Sequence, residues 1–344
     1  MMRLAPAIFR HRALVVVVGP TAVGKSRMAI RLAQALETEV LTADSRQVYR
    51  GMDIGTDKPS VAERAKVPHR LIDLIEPDQP FNVGLYRRLA LQEIERVYGL
   101  RRLPLVVGGT GLYVRALLRG LWEGPGADWA FRAQMEAEAR HHGPTYLYEE
   151  LVRCDPVLAQ RLHLRDQAKI IRALEVHHLL GRPMSDAQQA HAFGDRPFTP
   201  LLLGLNRDRA ALYRRIEDRV DEQLAKGLVE ETRVLLNRGY GRNLGSMKGL
   251  GYRQVAGFLQ GEYSYDEAVR RLKRDTRHFA KRQLTWFRKE PDITWITIDE
   301  REGEDAVTAR LLTLIHGFLG SVGDSGSATA ASRGGERHPS KVGV

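Results

Sequence analysis

The sequence predicts an α/β fold in which helices flank a parallel sheet and an all-helical domain is inserted. Three observations predict it. Residues 13–120 alternate short apolar runs with helical stretches, the pattern of strands and crossover helices in one layered unit. The run LVVVVGPTAVGKS, Leu14 to Ser26, joins one such strand to one such helix through G-x-x-x-x-G-K-[ST], with Gly19, Gly24, Lys25 and Ser26 at the fixed positions. From Trp129 to about Gly181 there is no strand run, and the apolar spacing is helical. The sheet is therefore expected to be P-loop NTPase-like.

Each element has its own reason. Residues 1–12 are a basic extension; the apolar run after them belongs to the first strand, which argues against a signal peptide. Val15 to Val18 form a β-branched run that reads as a buried parallel strand, and Met28, Leu32, Ala35 and Leu36 recur at helical spacing behind the glycine loop. Further strands are expected at 39–42, 69–74 and 105–107, with helices at 26–36 and 84–98. The Trp-, Gly- and Pro-bearing loop LWEGPGAD opens the helical insertion, placed at 122–199. Leu201 to Leu205 return a strand to the sheet. A long helix follows with Leu212, Ile216, Val220 and Leu224 on one face. Helices at 251–260 and 265–287 and a last strand in ITWITID complete a core made of 13–121 and 200–318. The Gly/Ser-rich stretch 319–344 is expected to be a disordered tail.

Composition narrows the class. At 43% hydrophobic and 28% charged, the 344 residues suit a soluble globular protein, and no apolar run is expected to approach the roughly 20 residues that span a bilayer. Cys154 is the only cysteine, which excludes an intramolecular disulfide and a cysteine-cluster zinc site and fits a reducing cytoplasm. With 53 Lys and Arg against 42 Asp and Glu, the formal charge is +11, and cations concentrate between Leu201 and Arg288. A polyanion is the partner such a surface suits, nucleic acid first.

The groups that carry chemistry lie at strand ends, where an open parallel sheet holds its ligands. The loop Gly19, Pro20, Thr21, Ala22, Val23, Gly24, Lys25 and Ser26 turns backbone N–H groups and a helix N-terminus toward a di- or triphosphate; Lys25 reaches its terminal phosphate and the Ser26 hydroxyl can hold Mg²⁺. Asp44 closes the second strand and suits a general base or a metal ligand, with a helix cap as the structural alternative. Thr110, in GGTGLY, suits a contact to phosphate or metal, or a plain glycine turn. No strand ends in the acidic pair of a hydrolytic ATPase. A small-molecule P-loop kinase using ATP accounts for 13–110 but leaves the basic helical half without a role.

Six segments in order, GPTAVGKS, ADSRQVYRGMDIGTDKP, VVGGTGLYVRALLRG, IIRALEVHHLLGRPMS, GYRQV and AKRQLTWFRKEPDITW, give the chain a close resemblance to the bacterial tRNA dimethylallyltransferase (isopentenyltransferase) family over about residues 13–300. The resemblance implies Mg²⁺-dependent transfer of a dimethylallyl group from dimethylallyl diphosphate to N6 of the adenosine just 3′ of the anticodon, releasing diphosphate, in a cytoplasmic monomer that binds the anticodon stem-loop and no membrane. It implies catalytic roles for Asp44 as base, Thr110, Lys25 and Arg219; Arg219 and Arg172 are candidates for closing on the diphosphate, with a plain salt bridge as the alternative for each. It implies tRNA contacts from Asp44, Ser45, Arg46, Gln47, Thr110, Arg132, Lys169, Arg172, Lys248, Gly251, Tyr252, Arg253, Lys281, Arg282, Gln283, Trp286 and Arg288. Tyr252, Trp286 and Phe287 are candidates for stacking on loop bases, with core packing as the alternative. Lys169 stands where the family has arginine and loses that residue's two-pronged phosphate contact.

Overall fold

The computed structural model describes residues 4–122, 124–143, 145–191 and 194–331. Up to the insertion its elements are α1 (Pro6–Arg10), β1 (Ala13–Val18), α2 (Lys25–Ala35), β2 (Val40–Ala43), α3 (Val61–Lys66), β3 (His69–Arg70), α4 (Val83–Gly99), β4 (Leu105–Gly108) and α5 (Gly111–Arg119). The insertion holds α6 (Trp129–His142), α7 (Tyr146–Cys154), α8 (Pro156–Ala159), α9 (Gln167–Leu180) and α10 (Met184–His191). The chain then adds β5 (Thr199–Asn206), α11 (Arg209–Ala225), α12 (Leu228–Asn237), α13 (Tyr252–Leu259), α14 (Tyr265–Phe287), β6 (Ile293–Thr297) and α15 (Glu304–Ala331).

Two compact units result, one of them running to Leu118 and resuming at Pro197, the other being Arg119–Arg196. The first is built on a six-stranded, all-parallel sheet in the order β3-β2-β4-β1-β5-β6. Central β1 is buried along its whole length. Its period-two alternation sends Val15 and Val17 to one face, against Met28, Leu32, Ile216 and Leu311, and Leu14, Val16 and Val18 to the other, against Tyr86, Ile94 and Leu117. The helical unit has a separate core of Leu147, Leu151, Ile170, Ile171 and Leu174.

Three expectations are corrected. The third strand shrinks to His69–Arg70, because Leu71 and Asp73 take positive φ (65° and 54°) and turn the chain out of the ladder; pairing resumes only as a single bridge between Tyr49 and Ile75. The expected tail is helical through Ala331, since Val307, Leu311, Ile315, Leu319 and Val322 continue an apolar stripe into the sheet core; residues 332–344 lie outside the described residues. The same helix overturns the composition reading: 304–324 is apolar and long enough to cross a membrane by length and composition, yet its stripe is spent on that core.

Candidate active site

The site forms where β2, β4 and β1 end side by side. The β2–β4 register sets Ala43 beside Gly108, so the next residues on each strand, Asp44 and Gly109, leave the sheet together. Thr110 locks the two exits: its amide donates to Ala43 O (3.2 Å), and its hydroxyl accepts from the Ser45 amide (3.0 Å). Asp44 Oδ1 accepts the amides of Arg46 (2.7 Å) and Gln47 (3.4 Å), which orients the carboxylate and leaves Oδ2 able to accept a proton. No helix begins after Asp44, so the helix-cap alternative does not hold: Oδ1 closes a side-chain turn, and Oδ2 is the oxygen open to a proton.

Helix α14 straps the loops from behind. Gln283 is buried; its Oε1 accepts the Thr21 amide of the glycine loop (2.8 Å), and its Nε2 donates to Gly109 O (2.9 Å). The approach demands glycine: a Cβ on Gly109 would lie 2.3 Å from Gln283 Nε2, and one on Gly111 would lie 2.1 Å from the Trp286 ring. The turn after β5 and helix α11 supply cations to the same loop. Arg219 donates to Thr21 Oγ1 (3.0 Å) and pairs with Asp57 (3.1 Å), while Arg215 and Arg207 donate to the carbonyls of Ala22 (2.9 Å) and Val23 (3.0 Å). Gln47 in turn holds Asp57 and Thr56 through their carbonyls, at 3.1 Å each.

Lys25 folds back onto Gly19 O (2.9 Å) and Pro20 O (2.8 Å). Burial, and then the nearby charge of Arg219, push its ammonium down to about 8. An anion in the loop would reverse that shift. Thr21, Asp44, Thr110 and Arg219 face a cavity of about 360 Å³ whose other walls include Met52, Val220, Leu250, Leu272 and Phe279. Its lining combines polar groups from the strand ends with those apolar side chains, and Arg46, Lys248, Arg253 and Arg282 also line it. Lys281 and Arg288 lie elsewhere, on a cavity of about 400 Å³ shared with Arg207 and Arg209.

Several residues expected on the RNA also make contacts within the protein. Tyr252 is buried with its hydroxyl donated to Glu231 (2.6 Å), Gly251 is buried before it, and Gln283 spends both amide atoms internally. Trp286 lies over Gly111 with Arg115 stacked on its ring (4.3 Å), and Phe287 is core. In the helical unit Arg132 and Arg172 both close on buried Glu175, whereas exposed Lys169 pairs with Asp166 (3.1 Å). The sequence reading placed Arg207 and Arg215 only in the basic cluster and did not single out Glu231. Glu231 accepts the amides of Asp53, Ile54 and Gly55. None of the three stands out as a loop-holding residue, because their backbone partners lie far along the chain.

The family model "IPP transferase" matches residues 47–290, and "Isopentenyl transferase" matches 12–73. The chain belongs to the IPP transferase family. It is 48% identical over 283 residues to a tRNA dimethylallyltransferase of Geobacter sulfurreducens, covering 82% of this chain and 91% of the relative. It is 45% identical over 307 residues to one from Pelotomaculum thermopropionicum, covering 89% and 97%. Among solved structures, the tRNA isopentenylpyrophosphate transferase of Bacillus halodurans matches with TM-score 0.69 and 36% identity over 92% of this chain and 99% of that one. A eukaryotic dimethylallyltransferase acting on tRNA matches with TM-score 0.77 and 26% identity over 90% and 80%. These matches span both units of the chain, and the kinase alternative, which explained only 13–110, falls with them.

Proposed function

We propose that this chain transfers a dimethylallyl group from dimethylallyl diphosphate to N6 of the adenosine 3′ of the anticodon in tRNA. Membership of the family supports prenyl transfer to tRNA; the single observation that supports these residue roles is the cavity that joins Asp44, Thr110 and Arg219 to the glycine loop. An exocyclic adenine amine is a poor nucleophile because its lone pair is delocalised into the ring. Asp44 Oδ2 accepts its proton as the nitrogen bonds to the allylic carbon, a contribution of about 10²–10⁴-fold. The carbon–oxygen bond breaks and its electron pair leaves with the diphosphate. Loop amides, Lys25 and Arg219 stabilise that charge. The apolar side chains of the lining take the five-carbon chain and the face of the base, and the target base reaches them by leaving its stack.

Mg²⁺ fits this donor set as a substrate-borne ion. Among the described residues there is no group of three or more His, Cys, Asp or Glu able to cage a metal, and exposed Ser26 at the start of α2 offers one hydroxyl. Mg²⁺ bound by one protein oxygen, phosphate oxygens and water is an ordinary arrangement, and it supplies charge neutralisation on the diphosphate. The cytoplasm is the compartment proposed, as that is where unmodified tRNA is met.

The test is direct. The protein, dimethylallyl diphosphate, Mg²⁺ and unmodified tRNA are incubated and the nucleosides analysed by mass; dimethylallyl-adenosine is expected, and its absence overturns the proposal. Asp44→Asn keeps the acceptor for the Arg46 amide but not the base. It is expected to lose at least about 10²-fold in kcat while binding tRNA within a few-fold of the parent.

A further inference from the structure

The most exposed aromatic side chain among the described residues is Trp129, at 65%, on the first turn of α6 in the helical unit. Its setting is unusual for a surface ring. The guanidinium of Arg132 lies over the indole, 5.1 Å from the ring centroid. That guanidinium is fixed by two bonds to Glu175, Nε to Oε1 (2.7 Å) and an NH2 nitrogen to Oε2 (2.8 Å). Glu175 is fully buried and also accepts the amide of Asp128 (2.7 Å), the residue immediately before Trp129. Asp128 in turn caps the helix through the Phe131 amide (2.9 Å). The ring's own backbone and the cation beneath it are thus tied to one buried carboxylate. Its orientation is set before anything binds, so little of the entropy of ordering it remains to be lost on contact.

We propose that Trp129 is a stacking platform for an unpaired base of the RNA substrate, on the indole face opposite Arg132. The proposal rests on the tRNA reading above. Stacking on tryptophan accepts any base, because every base has a π-face, and the guanidinium behind the ring holds the indole in place with its other face outward. A protein partner would want a broad apolar patch, which α6 does not offer. Its other exposed positions include Ala133, Gln134, Glu136, Ala137 and Arg140, so the indole stands alone. Arg132 then acts through Trp129 as a positioning residue, which gives a committed guanidinium a role it lacks as a direct phosphate contact.

The experiment compares the parent with Trp129→Phe and Trp129→Ala in full-length protein, using unmodified tRNA in the transfer assay and an anticodon stem-loop in equilibrium binding. Removing a stacked base contact is expected to raise the KM for tRNA and the Kd for the stem-loop by about 5- to 100-fold in Trp129→Ala. The phenyl ring should recover most of that. kcat and the KM for dimethylallyl diphosphate are expected to stay within two-fold of the parent (about 0.4 kcal/mol). The slope of log affinity against log salt should not change, since stacking releases no counterions, whereas loss of a phosphate contact would lower it. Quenching of the indole fluorescence by the stem-loop should be smaller in Trp129→Phe than in the parent, by the share that Trp129 contributes among the four tryptophans.

Unchanged tRNA KM and Kd in an active Trp129→Ala protein overturn the platform and leave the transferase reading intact. So does a variant whose only change is its association with itself or with another protein. A parent that forms no dimethylallyl-adenosine fails at the earlier reading, and the binding arm with the stem-loop still decides the platform. Lost binding in Trp129→Ala counts only if Trp129→Phe recovers it, which excludes misfolding of α6 as the cause.

Discussion

Beside the phosphate loop, Arg207 and Arg215 donate to the carbonyl oxygens of Val23 and Ala22, and neither has a carboxylate within ion-pair distance among the described residues; in the helical unit Arg132 and Arg172 close together on one buried carboxylate, Glu175. Residue type is the same and the electrostatics are opposite. A neutral carbonyl orients a guanidinium without cancelling its charge, so positive potential remains beside the loop for an anion. A carboxylate cancels most of it and leaves a rigid frame. Burial opposes ionisation of Glu175, but the hydrogen bonds from Arg132 and Arg172 outweigh it and hold the carboxyl below its ordinary range. Two regions rich in the same cation are thereby divided into one that attracts and one that supports.

The sharpest way to break this contrast is Glu175→Ala. It strands two guanidiniums that lose their shared partner, and a loss of about 3–5 kcal/mol in the stability of the helical unit is expected by denaturant unfolding. A loss under about 1 kcal/mol would show that the cluster is no frame. Because the Glu175 carboxyl is depressed in the fold, its contribution is complete above the ordinary value of 4.5 and is lost as pH falls below it. An acid unfolding series on the parent and on Glu175→Gln reads that sign.

Gln283→Ala comes next. It leaves the Thr21 amide without its acceptor, and a cost of about 1–3 kcal/mol is expected together with a raised KM for dimethylallyl diphosphate. A normal KM would mean that the loop holds its shape without the strap. Arg215→Ala should do the reverse of Glu175→Ala: stability within about 1 kcal/mol of the parent, because an exposed carbonyl is rehydrated, with a few-fold rise in that KM. The smallest effect is a proton count. With Lys25 lowered to about 8 in the free protein, an entering diphosphate restores its charged form. Binding at about pH 8.5–9 should therefore take up protons, seen as a buffer-dependent enthalpy, and affinity should fall as pH rises through about 8.

Legibility in the sequence followed the range of the interactions. The glycine loop, β1 and its helix, and α14 are local patterns, and α14 has the bounds that its periodicity predicts, 265–287. Asp44 and Thr110 were legible because a strand end needs only its own strand to be recognised. Tyr252, Gln283 and Trp286 were legible as candidates; what the sequence did not show is that their side chains also engage Glu231, the two loops and Gly111. Helix α15 was misread because Gly and Ser lower its local helix preference, while the apolar stripe that holds it has value only against a sheet formed much earlier in the chain.

What the sequence by itself determined is the set of short-range commitments: a phosphate cradle between strand and helix, a carboxylate at a strand end, an excess of cations, and a string of segments that assigns the family. Tertiary structure alone decided which of those cations stay charged toward a ligand and which are neutralised, for that depends on the atom each guanidinium meets. Arg215 meets a carbonyl at 2.9 Å and Arg132 a carboxylate at 2.7 Å. Nothing in the neighbourhood of either residue along the chain distinguishes the two.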